Sequence, residues 1–231
     1  MAEGEAGAGV SRDAPLIGLT FAAGVVDAVS YLGLGQIFTA NMTGNVVFLG
    51  LAVGQGGLTT ALRSVGALIG FSLGALLAGR FLVRPRPSAP WPPQVTWLPG
   101  GELVCLLAFS ALWTATGGEP SANLLYVLIA LSSFATGIQN AAARHLAVPG
   151  LTTTVVTTAL TGFMVDLPAL GISGTTQRRG AWAVVAIFSG AALGASLMIH
   201  ARSFVPLVTV AAVAIVVVEA HRIFNRNPNK G

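Results

Sequence analysis

Asp27 is the residue of this sequence whose type and position most clearly indicate chemistry. It lies in an otherwise apolar or small stretch, 16–34, of a chain in which only 9% of residues are charged. A charge inside a bilayer costs roughly 2.5–3.5 kcal/mol on insertion scales, so such a residue usually faces protein, a cavity or a transport path. Asp27 is therefore predicted to be an ion or proton site, or a carboxylate that binds free N–H groups at a re-entrant helix start. The alternative is a structural partner of Thr39, Asn41 or Asn45, and both roles are compatible.

Two runs of amide and hydroxyl side chains open the stretches 38–55 and 151–172, which both end apolar. This pattern is poor for a lipid-facing helix and typical of a buried, broken or re-entrant segment. Uncharged donors and acceptors suit the path of a small polar solute or ion, because they replace its hydration without trapping it. Hydrogen bonding between helices is the alternative role. The predicted pathway residues are Asp27, Asn41, Thr43, Asn45, Gln139, Asn140, Thr153, Thr154, Thr157 and Thr158.

Other chemical motifs are weaker. Arg144 and Asp166 are candidate gate residues, with an interfacial anchor and a helix end as their respective alternatives. The three histidines lack metal-ligand spacing, so no metal or cofactor is expected. Ser173 lies in a short G-x-S-G pattern like that of rhomboid proteases, but five residues before Arg178 it should lie near the membrane surface. An enzyme is therefore not expected.

Composition indicates a polytopic membrane protein. Hydrophobic residues make up 54% of the 231 residues and the mean hydropathy is +0.77. The few basic residues form no stripe with aromatics, which argues against nucleic-acid binding. A spanning helix needs about 20 mostly apolar residues. Eight apolar stretches are present: 16–34, 38–55, 61–82, 101–117, 121–143, 151–172, 180–200 and 204–222.

The chain aligns with itself at an offset of 113 residues, which places Gly24 on Gly137 and Asp27 on Asn140. The predicted organisation is a tail (1–14), a first membrane repeat (15–118, with a proline-rich loop 84–99), a second repeat (119–224) and a tail (225–231). Each repeat contains a helix with small residues four apart, which is typical of close helix packing on a re-entrant segment or a second protomer. The packing residues are Gly66, Gly70, Gly74, Gly190 and Gly194.

Loop charges indicate how the repeats are oriented. If all eight stretches span, basic residues divide seven against five between the two faces; if 38–55 and 151–172 re-enter, the division is ten against two, with only Arg63 and Arg202 in the minority. The positive-inside rule favours the second arrangement. The halves then have opposite orientations, so we predict an all-α fold of two inverted repeats, each with three transmembrane helices and one re-entrant or broken helix. Both termini are expected in the cytoplasm.

Four blocks of sequence resemble the YoaK family of bacterial membrane proteins: 24–32, 38–45, 137–141 with Arg144, and 152–157. The resemblance implies a multi-pass protein of the bacterial cytoplasmic membrane and supplies no substrate, since the family is defined by a domain of unknown function. From the residues, a transporter or channel for a small polar solute or ion is expected. A non-transporting membrane subunit or scaffold is the alternative. The expected partners are the lipid bilayer and an unidentified solute, and homo-oligomerisation stays open.

Overall fold

The structure is a computed structural model that describes residues 3–82, 93–146, 156–157, 161 and 175–225. All regular elements within these ranges are helical, which confirms the predicted all-α class. A short 3-10 turn, Arg202–Phe204, joins the last two helices. The helices of the described ranges are α1 (Glu3–Gly33), α2 (Met42–Gln55), α3 (Leu58–Leu82), α4 (Pro93–Ala115), α5 (Ala122–Leu146), α6 (Thr175–His200) and α7 (Val205–Asn225).

Five segments of the described chain are long and apolar enough to cross a membrane. They are Asp13–Gly33, Leu58–Leu82, Ala122–His145, Arg178–His200 and Arg202–Glu219, with mean hydropathies between 1.4 and 2.0. Helix α2 and the stretch Gly100–Ala115 of α4 are apolar but shorter. Large apolar side chains point outward along the bundle, with Ile199 78% exposed. Such an apolar exterior fits solvation by lipid rather than by water.

Helix α4 differs from its prediction because it begins at Pro93, inside the segment predicted as the proline-rich loop 84–99. Proline is well tolerated in the first turn of a helix, where its missing N–H would have no intrahelical partner. Part of the proline content therefore marked a helix start. Residues 83–92 lie outside the described part of the chain.

The predicted packing glycines lie where helices of different halves cross. Gly190 of α6 faces the backbone carbonyl of Phe21 in α1, and Gly74 of α3 faces the carbonyl of Phe134 in α5. Phe21 and Phe134 are 113 residues apart, which is the repeat offset, whereas Gly74 and Gly190 are 116 apart, so the two crossings correspond with a shift of three residues. Gly70 and Gly194 extend these contacts against α5 and α1, whereas Gly66 approaches only the side chain of Ile129, at 3.9 Å. The small residues thus pack on the first helix of the other half.

The contacts also give the helix directions. Phe21 and Val25 of α1 meet Gly190 and Gly194 of α6 in the same order along the chain, so α1 and α6 run parallel. The same reasoning makes α3 and α5 parallel. Helices α1 and α5 are antiparallel because Gln139 of α5 bonds to Leu19 of α1, whereas the earlier Ser132 and Thr136 of α5 bond to the turn that the later Asp27 of α1 holds. Helices α4 and α7 are antiparallel as well, since the end of α4 bonds to the turn that precedes α7.

These directions define two faces of the bundle. One face carries the start of α1 and of α6 and the ends of α3, α5 and α7; we name it the arginine-rich face for Arg80, Arg144, Arg178, Arg179 and Arg222. The opposite face carries Arg63 and Arg202. At that opposite face the chain leaves α1 at Gly33, turns back into the bundle, and returns along α2 to the start of α3 at Leu58. Helix α2 is thus a half-length helix whose first turn is deep and whose last turn is at the surface.

Candidate functional site

Asp27 is buried beside the turn that precedes α2. Its carboxylate is on α1, about two helical turns before Gly33, and the residue is only 8% exposed. The Oδ1 atom accepts hydrogen bonds from the backbone N–H groups of Thr39 (3.1 Å), Ala40 (2.8 Å) and Asn41 (3.4 Å). Buried backbone donors must be satisfied, and a carboxylate is a strong acceptor for them. One oxygen of Asp27 therefore fixes the re-entrant turn.

The turn is tied to the second half of the chain through Thr39. Its hydroxyl lies 2.8 Å from the hydroxyl of Ser132, and the hydroxyl of Thr136 donates to its carbonyl oxygen. Ser132 and Thr136 are one turn apart on α5, so both reach the same point of the first half. The re-entrant turn is thus held between α1 and α5, at the boundary of the two halves.

Asn45 has a structural position rather than a cavity-lining one. Its side-chain oxygen accepts from the N–H of Phe38 at 3.0 Å, and its Nδ2 donates to the carbonyl of the same residue. The residue is fully buried. Asn45 therefore closes the loop in front of α2 through the backbone of Phe38.

The first turn of α2 faces into the bundle without a side-chain cap. Asn41 is its N-cap residue and makes no capping hydrogen bond. The first N–H groups of a helix have no intrahelical partner, and the helix dipole adds partial positive charge there. The deep end of α2 is therefore a set of backbone hydrogen-bond donors beside the Asp27 carboxylate.

A cavity of about 460 Å³ lies against this helix start. It extends from Asp27 toward the arginine-rich face, between α1, α5 and α6. Among the described residues that line it, Asp27 is the only charged one. The structure brings six of the predicted pathway residues to its wall: Asp27, Asn41, Thr43, Gln139, Asn140 and Thr157.

The two amides of α5 are oriented by backbone carbonyls. Gln139 Nε2 donates to the carbonyl of Leu19 at 3.3 Å, and Asn140 Nδ2 donates to the carbonyl of Thr136 at 3.2 Å. Their side chains are thereby held at the cavity wall across from the α2 start. The site draws on both halves of the chain.

Among the other residues singled out in the sequence, those that the structure describes do not join this cluster. Arg144 is exposed in the last turn of α5 and does not line the cavity. Thr153, Thr154, Thr158, Asp166 and Ser173 lie outside the described residues. His200 is exposed at the end of α6, where Nδ1 lies 2.8 Å from the carbonyl of Ser196. Among the described residues, no group of three or more His, Cys, Asp or Glu could hold a metal ion.

Sequence reasoning missed a second buried acid, Glu102. It is 1% exposed on α4, and its Oε2 atom makes no hydrogen bond to any residue that the structure describes. The predicted apolar stretch begins at 101, directly before Glu102. The helix begins eight residues earlier, at Pro93, so Glu102 lies well inside it. The signal that singled out Asp27, an acid in an apolar run, was also present here.

The fold and the site define a multi-pass, all-helical membrane protein with a half-length helix and, inside the bundle, a mostly apolar cavity that contains a few polar groups. The family model described as protein of unknown function (DUF1275) matches residues 16–219, and the chain belongs to that family. It is similar to the UPF0700 transmembrane protein YoaK of Bacillus subtilis (strain 168), with 39% identity over 149 residues. That match spans 64% of this chain and 64% of the relative's length. The resemblance to the YoaK family is therefore confirmed. No solved structure matches the chain.

Proposed function

We propose that the protein moves a small polar solute or ion across the bacterial cytoplasmic membrane, as a transporter or a channel. The observation that carries this proposal is the cavity of about 460 Å³ that Asp27, the start of α2 and the amides of α5 share. Cavities of roughly 300–1,000 Å³ with a few converging polar groups are typical of small-molecule sites. A scaffold that does not transport would instead be expected to pack its polar runs together without such a space.

The helix arrangement supports an inverted-repeat plan for the transporter. Three pairs of helices correspond under the repeat: α1 with α5, α3 with α6, and α4 with α7. In each pair the two members run in opposite directions, as the glycine crossings and the bonds between helices indicate. Inverted repeats with a discontinuous helix at the binding site recur among secondary transporters.

Loop charges support an orientation for this plan. The arginine-rich face would be cytoplasmic under the positive-inside rule. Helix α1 begins and helix α7 ends at that face, so both termini would be cytoplasmic. The cavity extends toward the same face.

Flux into proteoliposomes tests the proposal. Thr43 is exposed within the cavity and Val53 is 73% exposed on the outer surface of the same helix. We expect Thr43→Trp to abolish flux by filling the cavity, and Val53→Trp to leave it at the wild-type level. The assay would cover ions, with fluorescent indicators, and neutral solutes and amino acids, by light scattering and radiolabel uptake. Wild-type flux no greater than that of empty liposomes across the panel, or equal flux in the two variants, would refute transport through this cavity.

The same assay addresses the role of Asp27. Asp27→Asn keeps the size of the side chain and removes its charge, and Asp13→Asn is the matched control because Asp13 lies at the membrane surface, where it pairs with Arg179 at 2.8 Å. If Asp27 couples transport to protons, the pH dependence of flux is lost only in the first variant. Equal rates for Asp27→Asn and wild type at every pH would remove Asp27 as a coupling site. Saturation with solute concentration would distinguish a transporter from a channel.

A further inference from the structure

The two oxygens of Asp27 have different environments. Oδ1 accepts all three hydrogen bonds from the re-entrant turn. Oδ2 makes no hydrogen bond with any described residue, although the residue is more than nine-tenths buried and lines the cavity. Oδ2 is not one of the fully buried unpaired atoms of the described residues, so it is accessible from the cavity, and an ammonium group is one of the strongest partners a carboxylate oxygen can take. The free oxygen therefore points to a positively charged donor on the solute.

The start of α2 has the complementary preference. This helix of 14 residues begins at Met42, its N-cap side chain leaves the first turn uncapped, and Thr43 and Gly44 line the cavity. Backbone N–H groups and the helix dipole together make such a terminus a binding site for a carboxylate. Discontinuous membrane helices use their N-terminal ends in the same way for anionic groups of a solute.

The two sites are adjacent, which limits the solute further. Asn41 bonds to Oδ1 of Asp27, and Met42, the next residue, begins α2. Groups that satisfy both sites must therefore be only a few bonds apart, as the ammonium and carboxylate of an α-amino acid are. Since Asp27 is the only charged residue among the described lining residues, a solute without net charge also leaves the charge of the site unchanged.

The rest of the wall is apolar and suits a hydrocarbon side chain. It is formed mainly by Leu16, Leu19, Ala23, Val47, Ala183 and Ile187. Resting on the proposed transport function, we propose that the cavity binds a small zwitterion of the α-amino acid type with an apolar side chain. The ammonium binds Oδ2 of Asp27, the carboxylate binds the N–H groups at the start of α2, and the side chain packs on the apolar wall.

Binding to the purified full-length protein tests this assignment. Isothermal titration would compare leucine with 3-methylbutylamine, which lacks the carboxylate, and 4-methylpentanoate, which lacks the ammonium; alanine, valine and phenylalanine would cover other side-chain sizes. We expect at least one of these amino acids to bind at least tenfold more tightly than its own amine and acid analogues. No binding by any of the four, or equal affinity for an amino acid and its two analogues, would overturn the proposal.

Two pairs of variants assign the two charged groups. Asp27→Asn should remove the advantage of the amino acid over the acid analogue, whereas Asp13→Asn should not. Met42→Pro deletes one N–H at a helix position where proline is accepted, and Met42→Leu keeps that N–H. Met42→Pro should weaken the amino acid and the acid analogue by about tenfold and leave the amine unchanged, whereas Met42→Leu should bind all three like the wild type. A loss of amine binding in Met42→Pro would contradict the assignment of the carboxylate to α2.

Failure of this inference can be told apart from failure of transport. If the amino acid binds with the expected preference but is not taken up by proteoliposomes, the zwitterion site stands and the transport proposal fails. If another solute is transported and the amino acids do not bind, transport stands and the zwitterion site is wrong. Should Asp27→Asn elute as an aggregate, the Met42 pair decides the question, since it leaves the hydrogen bonds of Asp27 in place.

Discussion

The close helix crossing at Gly74 makes a stability prediction whose size follows from the structure. A β-carbon at Gly74 would overlap the carbonyl oxygen of Phe134 and lie only 2.9 Å from its carbonyl carbon. Ordinary contacts of this kind are 3.4–4 Å, so α3 and α5 would have to separate by on the order of an ångström. Overpacking of this kind costs about 1–3 kcal/mol. At about 2–4 °C per kcal/mol for a chain of this size, Gly74→Ala should lower Tm by roughly 2–12 °C.

A control on the same helix separates this clash from the general effect of replacing glycine. A β-carbon at Gly79 would meet nothing within 4 Å. Because alanine is the better helix former by about 0.5–1 kcal/mol, Gly79→Ala should leave Tm unchanged or raise it slightly. Gly190→Ala, at the equivalent crossing of α1 and α6, should lower Tm as much as Gly74→Ala. Tm would be measured by thermal unfolding in detergent, with monodispersity checked by size-exclusion chromatography. Equal Tm values for the Gly74 and Gly79 variants would refute the close crossing.

Two further predictions concern topology and one buried hydrogen bond. In a Cys105→Ala background, a membrane-impermeant maleimide added to intact cells should label Gly57→Cys and not Arg178→Cys; labelling of both or of neither would contradict opposite faces for these positions. The indole N–H of the fully buried Trp113 donates to a backbone carbonyl in the turn before α7 at 2.8 Å, so Trp113→Phe should destabilise the protein by about 1–3 kcal/mol. Trp182→Phe, at a side chain that is 57% exposed, should leave Tm unchanged, and a similar loss in both variants would show that the hydrogen bond does not account for the effect.

Much of the fold was predictable because its signals are local. An apolar stretch of about 20 residues indicates a spanning helix whatever it packs against. The polar opening of 38–55 likewise predicted that this segment is not an ordinary spanning helix, and α2 begins at Met42, just after that polar opening. The position of Asp27 near the start of α2 followed from the same reasoning. The start of α4 at Pro93 was less predictable, because proline favours both extended structure and the first turn of a helix.

What could not be predicted depends on partners that are distant in sequence. The glycine helices were expected to pack on a re-entrant segment or a second protomer. Helix α3 does pack on α2, but the glycines of α3 and α6 face α5 and α1 of the opposite half. Small residues every fourth position reveal that a close partner exists without revealing which one. In the same way Asn45 and Thr43 are equivalent as polar residues of one run, and only the fold places Asn45 on the backbone of Phe38 and Thr43 in the cavity.

The two oxygens of Asp27 have separate roles: Oδ1 has the structural role, and Oδ2 has the proposed functional one. Its charge is stabilised by three N–H groups on Oδ1, so the acid can be buried without a basic partner. An asparagine there could also accept on its single oxygen but would present an amide N–H₂ to the cavity in place of Oδ2. Asp27→Asn therefore keeps an acceptor for the turn and reverses the hydrogen-bonding character that this position presents to the cavity. The repeat offset places Asp27 on Asn140, whose amide nitrogen donates to the carbonyl of Thr136. The first half thus presents a carboxylate to the cavity, and the second half presents an amide.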